Sequence, residues 1–241
     1  MGLKSLLQSK AHHELVTRGR GLPDFSKTRK NLTQVRKSQY KSFGGRKVFP
    51  DEYPWLATVY HAGRRVVHIC SGAQISPRHI LTAAHCVVDY SKQEYYEVCK
   101  TQEEYRNRNL RDFRRFYIYV GSGCTHPARC HSRHRPAKIS LHEHWGKCDG
   151  SLDLAIVELD RDIEPSNTPI AMPTVNAKLA KRLNAAGIGA DTTLKGDVNA
   201  NGLQVITLRL NETNNDPYVI KTWSKTASLC QVSLLIDTVF L

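Results

Sequence analysis

At 241 residues the chain has room for one large domain or two small ones, and all-β barrels commonly reach this length as a single unit; no apolar run approaches the about 18 residues of a membrane-spanning helix, so a helical span is not expected. The formal charge of +13 raises a nucleic-acid reading, but the charge sits mainly in residues 1–41 and 106–138. Neither stretch has a helix-turn-helix pattern, zinc-finger spacing or interleaved aromatic platforms, so nucleic acid is not expected as a partner.

Residues 1–41 are polar, basic and without sustained apolar periodicity, which reads as a largely disordered tail or pro-segment. The opening Met1-Gly2-Leu3-Lys4-Ser5-Leu6-Leu7-Gln8 has a lysine but lacks the apolar core of a signal peptide. Asn31-Leu32-Thr33 is an N-glycosylation sequon, as is Asn211-Glu212-Thr213 further on. From Tyr53 onward short β-prone runs alternate with turn residues, and strands are predicted over 55–60, 65–70, 80–82, 116–120, 154–159, 203–208 and 218–223. Residues 94–115 are charged and partly helical in composition, and 177–184 have helical composition ahead of Gly187 and Gly189. Spaced strands with few long helical patterns predict an all-β sandwich or barrel. Seven cysteines suit an oxidising compartment, and their odd number leaves one unpaired within the chain.

The most specific chemistry lies in Ile80-Leu81-Thr82-Ala83-Ala84-His85-Cys86, preceded by Cys70-Ser71-Gly72. Here a β-run ends in two small residues that let a tight turn pack beneath an imidazole. Further along, Ser151-Leu152-Asp153-Leu154-Ala155-Ile156-Val157-Glu158-Leu159 sets an aspartate into an apolar run. Burying that carboxylate is costly unless it is hydrogen-bonded. Together these strings resemble the trypsin/chymotrypsin-like serine protease family, peptidase family S1.

The resemblance implies two packed antiparallel six-stranded β-barrels over residues 42–231, with protein or peptide substrates and no cofactor or metal. It implies that His85 is the general base, that Asp153 orients it, and that Cys70 and Cys86 form a disulfide closing the loop beneath the histidine. Ser42-Phe43-Gly44-Gly45 and Glu52-Tyr53-Pro54-Trp55 are similar to the start of the mature protease, with Lys41 as the basic residue before the cleavage. Ser42 stands where an Ile or Val is usual and would bury less apolar surface on insertion. Ile163-Glu164-Pro165 and Ile170-Ala171-Met172-Pro173 resemble the connection between the two barrels, and Gly187-Ile188-Gly189 the opening of the second. Secretion follows from the cysteines and the family.

Between His85 and Asp153 the chain is longer than the family needs. The excess carries Cys99, Cys124, Cys130 and Cys148, whose three possible pairings stay open, and a histidine-rich stretch. A disulfide-tied surface insertion is the expectation; a zinc site from Cys124, Cys130, His131 and His134 is the alternative, without a standard zinc spacing.

The pattern departs from the family after Lys225-Thr226-Ala227-Ser228-Leu229-Cys230-Gln231. In the resembling proteases this leads into Gly-Asp-Ser-Gly-Gly-Pro, which supplies the nucleophile and the oxyanion hole. Here it continues Val232-Ser233-Leu234-Leu235 to Leu241. Ser233 falls one place short of the nucleophile, and Val232, Leu234 and Leu235 favour a strand over the tight glycine turn. Residues 232–241 are therefore expected to be an aberrant tail, read through from an intron or an alternative exon, the second barrel to be incomplete and the chain inactive. Ser228 would lie at the base of the primary specificity pocket. The rival expectation is a non-catalytic pseudoprotease that holds an anionic partner through its basic insertion.

Overall fold

The structure is a computed structural model, and it describes residues 45–63, 67–121, 130, 133–174, 178–188, 203–211, 222–225 and 239–240. Eleven strands in these residues build two antiparallel sheets, with little helix.

The first sheet has six strands: β2 (Leu56–Ala62), β3 (Val67–Ser76), β4 (His79–Thr82), β5 (Phe116–Val120), β6 (Pro136–Leu141) and β7 (Ala155–Leu159). Their order is β5-β2-β3-β4-β7-β6. The two ends of this row meet, because Ile118 in β5 and His134, just ahead of β6, exchange both backbone hydrogen bonds at 2.9 and 2.8 Å. The sheet thus closes on itself and leaves no free edge along that seam. Its interior is filled by Val59, Ile80, Phe116, Ile118, Val157 and Leu159, all nearly inaccessible to solvent. Between β4 and β5 lie two short helices, α1 (Ala84–Val87) and α2 (Lys92–Val98), and a 3-10 turn at Phe113–Arg115.

The second sheet is built from β1 (Arg46–Lys47), β8 (Arg182–Ile188), β9 (Leu203–Leu210), β10 (Thr222–Trp223) and β11 (Val239–Phe240). Its centre is β8 against β9, and β11 pairs with β8 through Val239↔Ala186 and Phe240↔Ala185. The strand period of two sorts the side chains of β8 and β9. Ala186, Ile188, Leu203 and Val205 join Leu56 and Tyr53 in a core between the sheets, while Leu183, Ala185, Ile206 and Leu208 form a separate cluster on the other face of the second sheet. The same division explains β2, which is buried along nearly its whole length: Ala57 and Val59 face into the first barrel and Leu56 faces the second sheet. A buried hydrogen bond from the Ile188 amide to Ser71 Oγ, 2.9 Å, ties the sheets together.

This is the all-β, two-barrel architecture expected from the sequence, with the second barrel a curled half-barrel among the described residues. The helical composition of 177–184 misled: residues 182–184 belong to β8, where Leu183 is buried and pairs with Leu208. Tertiary pairing overrides the weak helix preference of this run. Strand β6 was not anticipated, since its Pro136 start and exposed Ala137 and Lys138 hide the alternation.

Candidate active site

The histidine loop is fixed from below. Strand β4 ends at Thr82, whose Oγ1 donates to the Ser71 carbonyl at 2.9 Å in a buried position. Ala83 is extended, at φ −76° and ψ 146°, and Ala84 is wholly buried, so the chain turns into α1 in little space. Disulfide-bonded Cys70 and Cys86, with Cα atoms 6.3 Å apart, join α1 to β3. Closing this 16-residue separation contributes about 3 kcal/mol in the loop-entropy picture. Gly72 is required beside it: a Cβ there would stand 2.8 Å from Ile80 Cγ2 and 2.9 Å from the Leu81 carbonyl.

Asp153 arrives from a loop that immediately precedes β7, just ahead of the strand expected over 154–159. Leu152 adopts φ 60°, which turns the chain so that the next residue points back toward α1. Lys147 O accepts from the Gly150 amide at 3.0 Å and Asp149 Oδ1 from the Ser151 amide at 2.8 Å, so the loop is held by its own hydrogen bonds. The carboxylate then makes a two-point contact with the histidine. His85 N donates to Oδ1 at 2.9 Å and His85 Nδ1 lies 2.5 Å from Oδ2. A carboxylate only accepts, so Nδ1 carries the proton and the neutral ring presents its lone pair on Nε2. The pair is partly shielded, with side-chain exposures of 22% and 26%. Chemically this is a proton acceptor whose tautomer and orientation are set by an anion.

One side of the imidazole meets an aromatic wall. The Tyr90 ring lies tilted by 48° with its centroid 5.8 Å from the His85 ring, and it in turn packs on Tyr95, Tyr105 and Trp145. Burial raises the Tyr90 hydroxyl well above its ordinary value, and burial with the nearby Asp153 charge pushes Tyr95 up to about 12. These phenols stay neutral across the physiological range and exclude water from that flank. Cys70, His85 and Cys86 place ligand-type atoms within 4.8 Å of one another, yet both sulfurs are in the disulfide, which removes the thiolates a metal would need.

Lys41, Ser42, Asn31, Ser228 and Ser233 lie outside the described residues, as does Thr213 of the second sequon. Asn211 directly follows β9 and is half-buried. Of the pairings left open, the structure selects Cys99–Cys148. Cys130 is also disulfide-bonded, which removes it as a zinc thiolate and corrects that alternative. Sequence reasoning missed Tyr90, which sits only five residues after His85 but carries no motif of its own, and it left the Cys99–Cys148 pairing among three alternatives, because cysteines 49 residues apart meet only in space.

Residues 42–231 match a family model described as Trypsin. Granzyme M of Homo sapiens is 25% identical over 203 residues, covering 81% of this chain and 66% of its own length. Kallikrein 1-related peptidase b1 of Mus musculus is 30% identical over 187 residues, covering 76% of this chain and 65% of its own length. The chain therefore spans just under two thirds of these curated relatives. A solved structure described as "Structure of GrC" superposes with a TM-score of 0.51 at 17% identity, over 70% of this chain and 65% of that one. That likeness concerns the fold alone.

Proposed function

The chain belongs to the trypsin-like serine protease family, and from that premise we propose that residues 42–231 are a serine endopeptidase domain with His85 as general base and Asp153 as its orienting carboxylate. The reading is carried by the two-point contact of Asp153 with His85, 2.9 Å to the amide and 2.5 Å to Nδ1. In peptide hydrolysis Nε2 would take the proton of an attacking hydroxyl and return it to the leaving amine, while Asp153 stabilises the imidazolium formed between the two steps. Proteins or peptides are the substrates the family implies.

The nucleophile is the step this sequence does not furnish. No Gly-Asp-Ser-Gly-Gly occurs in it, and branched Val232 and Leu234 stand where the glycine turn would aim backbone donors at an oxyanion. The proposal is that the 241-residue chain holds a proton shuttle without an alcohol to serve and forms no acyl-enzyme. A fluorophosphonate probe tests this: it should leave the chain unlabelled, and recovery of a labelled Ser233 peptide would refute inactivity. A transcript that continues from Gln231 into the glycine-rich segment should yield a labelled product, and His85→Ala should abolish that labelling.

Other elements of the proposal rest on sequence: secretion, glycosylation at Asn31 and Asn211, release of Ser42 by cleavage after Lys41, and Ser228 at the base of the primary pocket. N-terminal sequencing after limited trypsin digestion and a mobility shift with an N-glycosidase check the second and third of these. Disulfides at Cys70–Cys86 and Cys99–Cys148 fit an oxidising compartment.

A second reading, a pseudoprotease binding an anionic partner, is favoured by one surface feature. Arg133 and Arg135 both lie over the Tyr117 ring, at 5.4 and 4.6 Å, beside the seam that closes the first barrel. Asp160 Oδ1 accepts from the Arg135 amide at 3.1 Å and its carboxylate also pairs with Arg161, which partly offsets this basic ridge. Salt-dependent retention on heparin that is lost on Arg133→Ala with Arg135→Ala would support this reading; retention unchanged by those substitutions would remove it.

A further inference from the structure

His85 and Asp153 come from separate elements, and their contact depends on how the loop before β7 is held against α1. The chain between them makes a long excursion, residues 91–110, that touches both. On the Asp153 side, the Cys148 amide donates to the Glu103 carbonyl at 2.9 Å and the Tyr105 amide to the Gly146 carbonyl at 2.7 Å. Glu104 and Lys147 form the antiparallel bridge between these bonds, and the Cys99–Cys148 disulfide locks it. Tyr95 Oη donates to the Lys147 carbonyl at 3.0 Å, and Trp145 Nε1 to the Asn107 carbonyl at 3.0 Å. On the His85 side, the Asp89 amide donates to the Asn109 carbonyl at 2.7 Å and the Arg111 amide to the Val87 carbonyl of α1 at 2.9 Å. The excursion is thus sewn at one end to Val88 and Asp89, directly after the helix that carries the histidine, with Arg111 next to it bonding that helix itself, and at the other end to the loop that carries the carboxylate.

One position shows how close this stitching is. Gly146 has φ 102°, and a Cβ on it would sit 2.0 Å from the Tyr105 carbonyl oxygen. No side chain fits there without separating the two strands of the bridge. The interior between the two seams is Tyr90, Tyr105 and Trp145, with Tyr105 and Trp145 almost wholly buried.

We propose that residues 91–110 are a brace that sets the distance between His85 and Asp153, with Cys99, Gly146 and Cys148 as positioning residues. This rests on the reading of His85–Asp153 as the proton shuttle, and it adds that the extra length between the two residues serves the site. A disulfide 49 residues in span would then act on the native geometry of the pair as well as on the unfolded chain. Its loss should loosen the Asp153 loop while leaving the barrel, closed by its own ladder, in place.

The test uses the full chain and proton NMR of the ring NH. A proton held between Nδ1 and a carboxylate at this separation resonates far downfield, a signature that general stability does not produce. The unaltered chain should show it, and Asp153→Asn should remove it. The brace predicts that Cys99→Ser with Cys148→Ser, and independently Gly146→Val, also remove it while the far-ultraviolet circular dichroism is retained. Leu208→Ala, which weakens the second sheet far from the brace, should keep it. Persistence of the resonance in both brace variants would overturn the brace and leave the pair intact; its loss in Leu208→Ala as well would attribute the effect to global loosening and equally overturn the brace. Its absence from the unaltered chain would overturn the paired His85–Asp153 reading itself.

Discussion

Gly72 shows how a single residue limits the site. Strands β3 and β4 approach so closely that its missing Cβ leaves room for Ile80 and the Leu81 carbonyl. Gly72→Ala should therefore destabilise the fold by about 1–3 kcal/mol, the range for forcing an extra carbon into a packed core. Urea unfolding measures it, and an unchanged midpoint would mean that the strands have slack there. Asp153 makes a complementary case. Its carboxylate satisfies two donors at once, so Asp153→Ala leaves the His85 amide and ring NH without that acceptor and should cost about 1–3 kcal/mol by the same measurement.

The hairpin of β2 and β3 carries an acid-sensitive cluster. His61 and His68 are direct cross-strand partners, and Arg111 lies against them with its Nη1 donating to His68 Nε2 at 3.0 Å. The Asp112 carbonyl accepts from His61 Nε2 at 3.2 Å, Arg115 binds the Ala62 carbonyl, and the nearest carboxylate to Arg111 is Asp89 at 4.0 Å. Burial, then the Arg111 charge, lowers both imidazoles, His68 to about 4. The unfolded chain, with histidines near 6.5, binds more protons than the folded one between these values. Stability is then complete above about pH 6.5 and falls as the pH drops toward 4, because a protonated His68 loses its lone pair for Arg111 and adds a like charge. Thermal unfolding followed from pH 7.5 to 4 should show this decline, and His68→Gln, which keeps an acceptor without titrating, should flatten it. A profile equally steep in His68→Gln would place the acid sensitivity elsewhere.

For the molecule as a whole, the two sheets differ in how they are secured. The first closes through Ile118 and His134 over a broad core, whereas the second, among the described residues, has a small core of its own and leans on the first through Ala186, Ile188, Leu203 and Val205. Ser71 Oγ, the acceptor for the Ile188 amide, sits in that contact. Ser71→Ala leaves a buried donor unpaired and should cost about 1–3 kcal/mol. Amide exchange should quicken first in β8 and β9, with β2, β3 and β7 slowest. Uniform acceleration in both sheets would mean that they open as one cooperative unit.

By itself the sequence determined the all-β class and most of the first-barrel strands, and it singled out His85 and Asp153, the two polar side chains that meet in the candidate site. Those features are written locally: period-two runs bounded by turn residues and a Thr-Ala-Ala-His-Cys string. What only the tertiary structure decided is non-local. The barrel seam at Ile118 and His134, the choice of Cys99 with Cys148, β8 in place of a helix, and Trp145 against Tyr90 all depend on partners brought together by chain closure. The cost of that closure grows only slowly with loop length, so neither spacing nor propensity along the chain identifies which distant residues will meet.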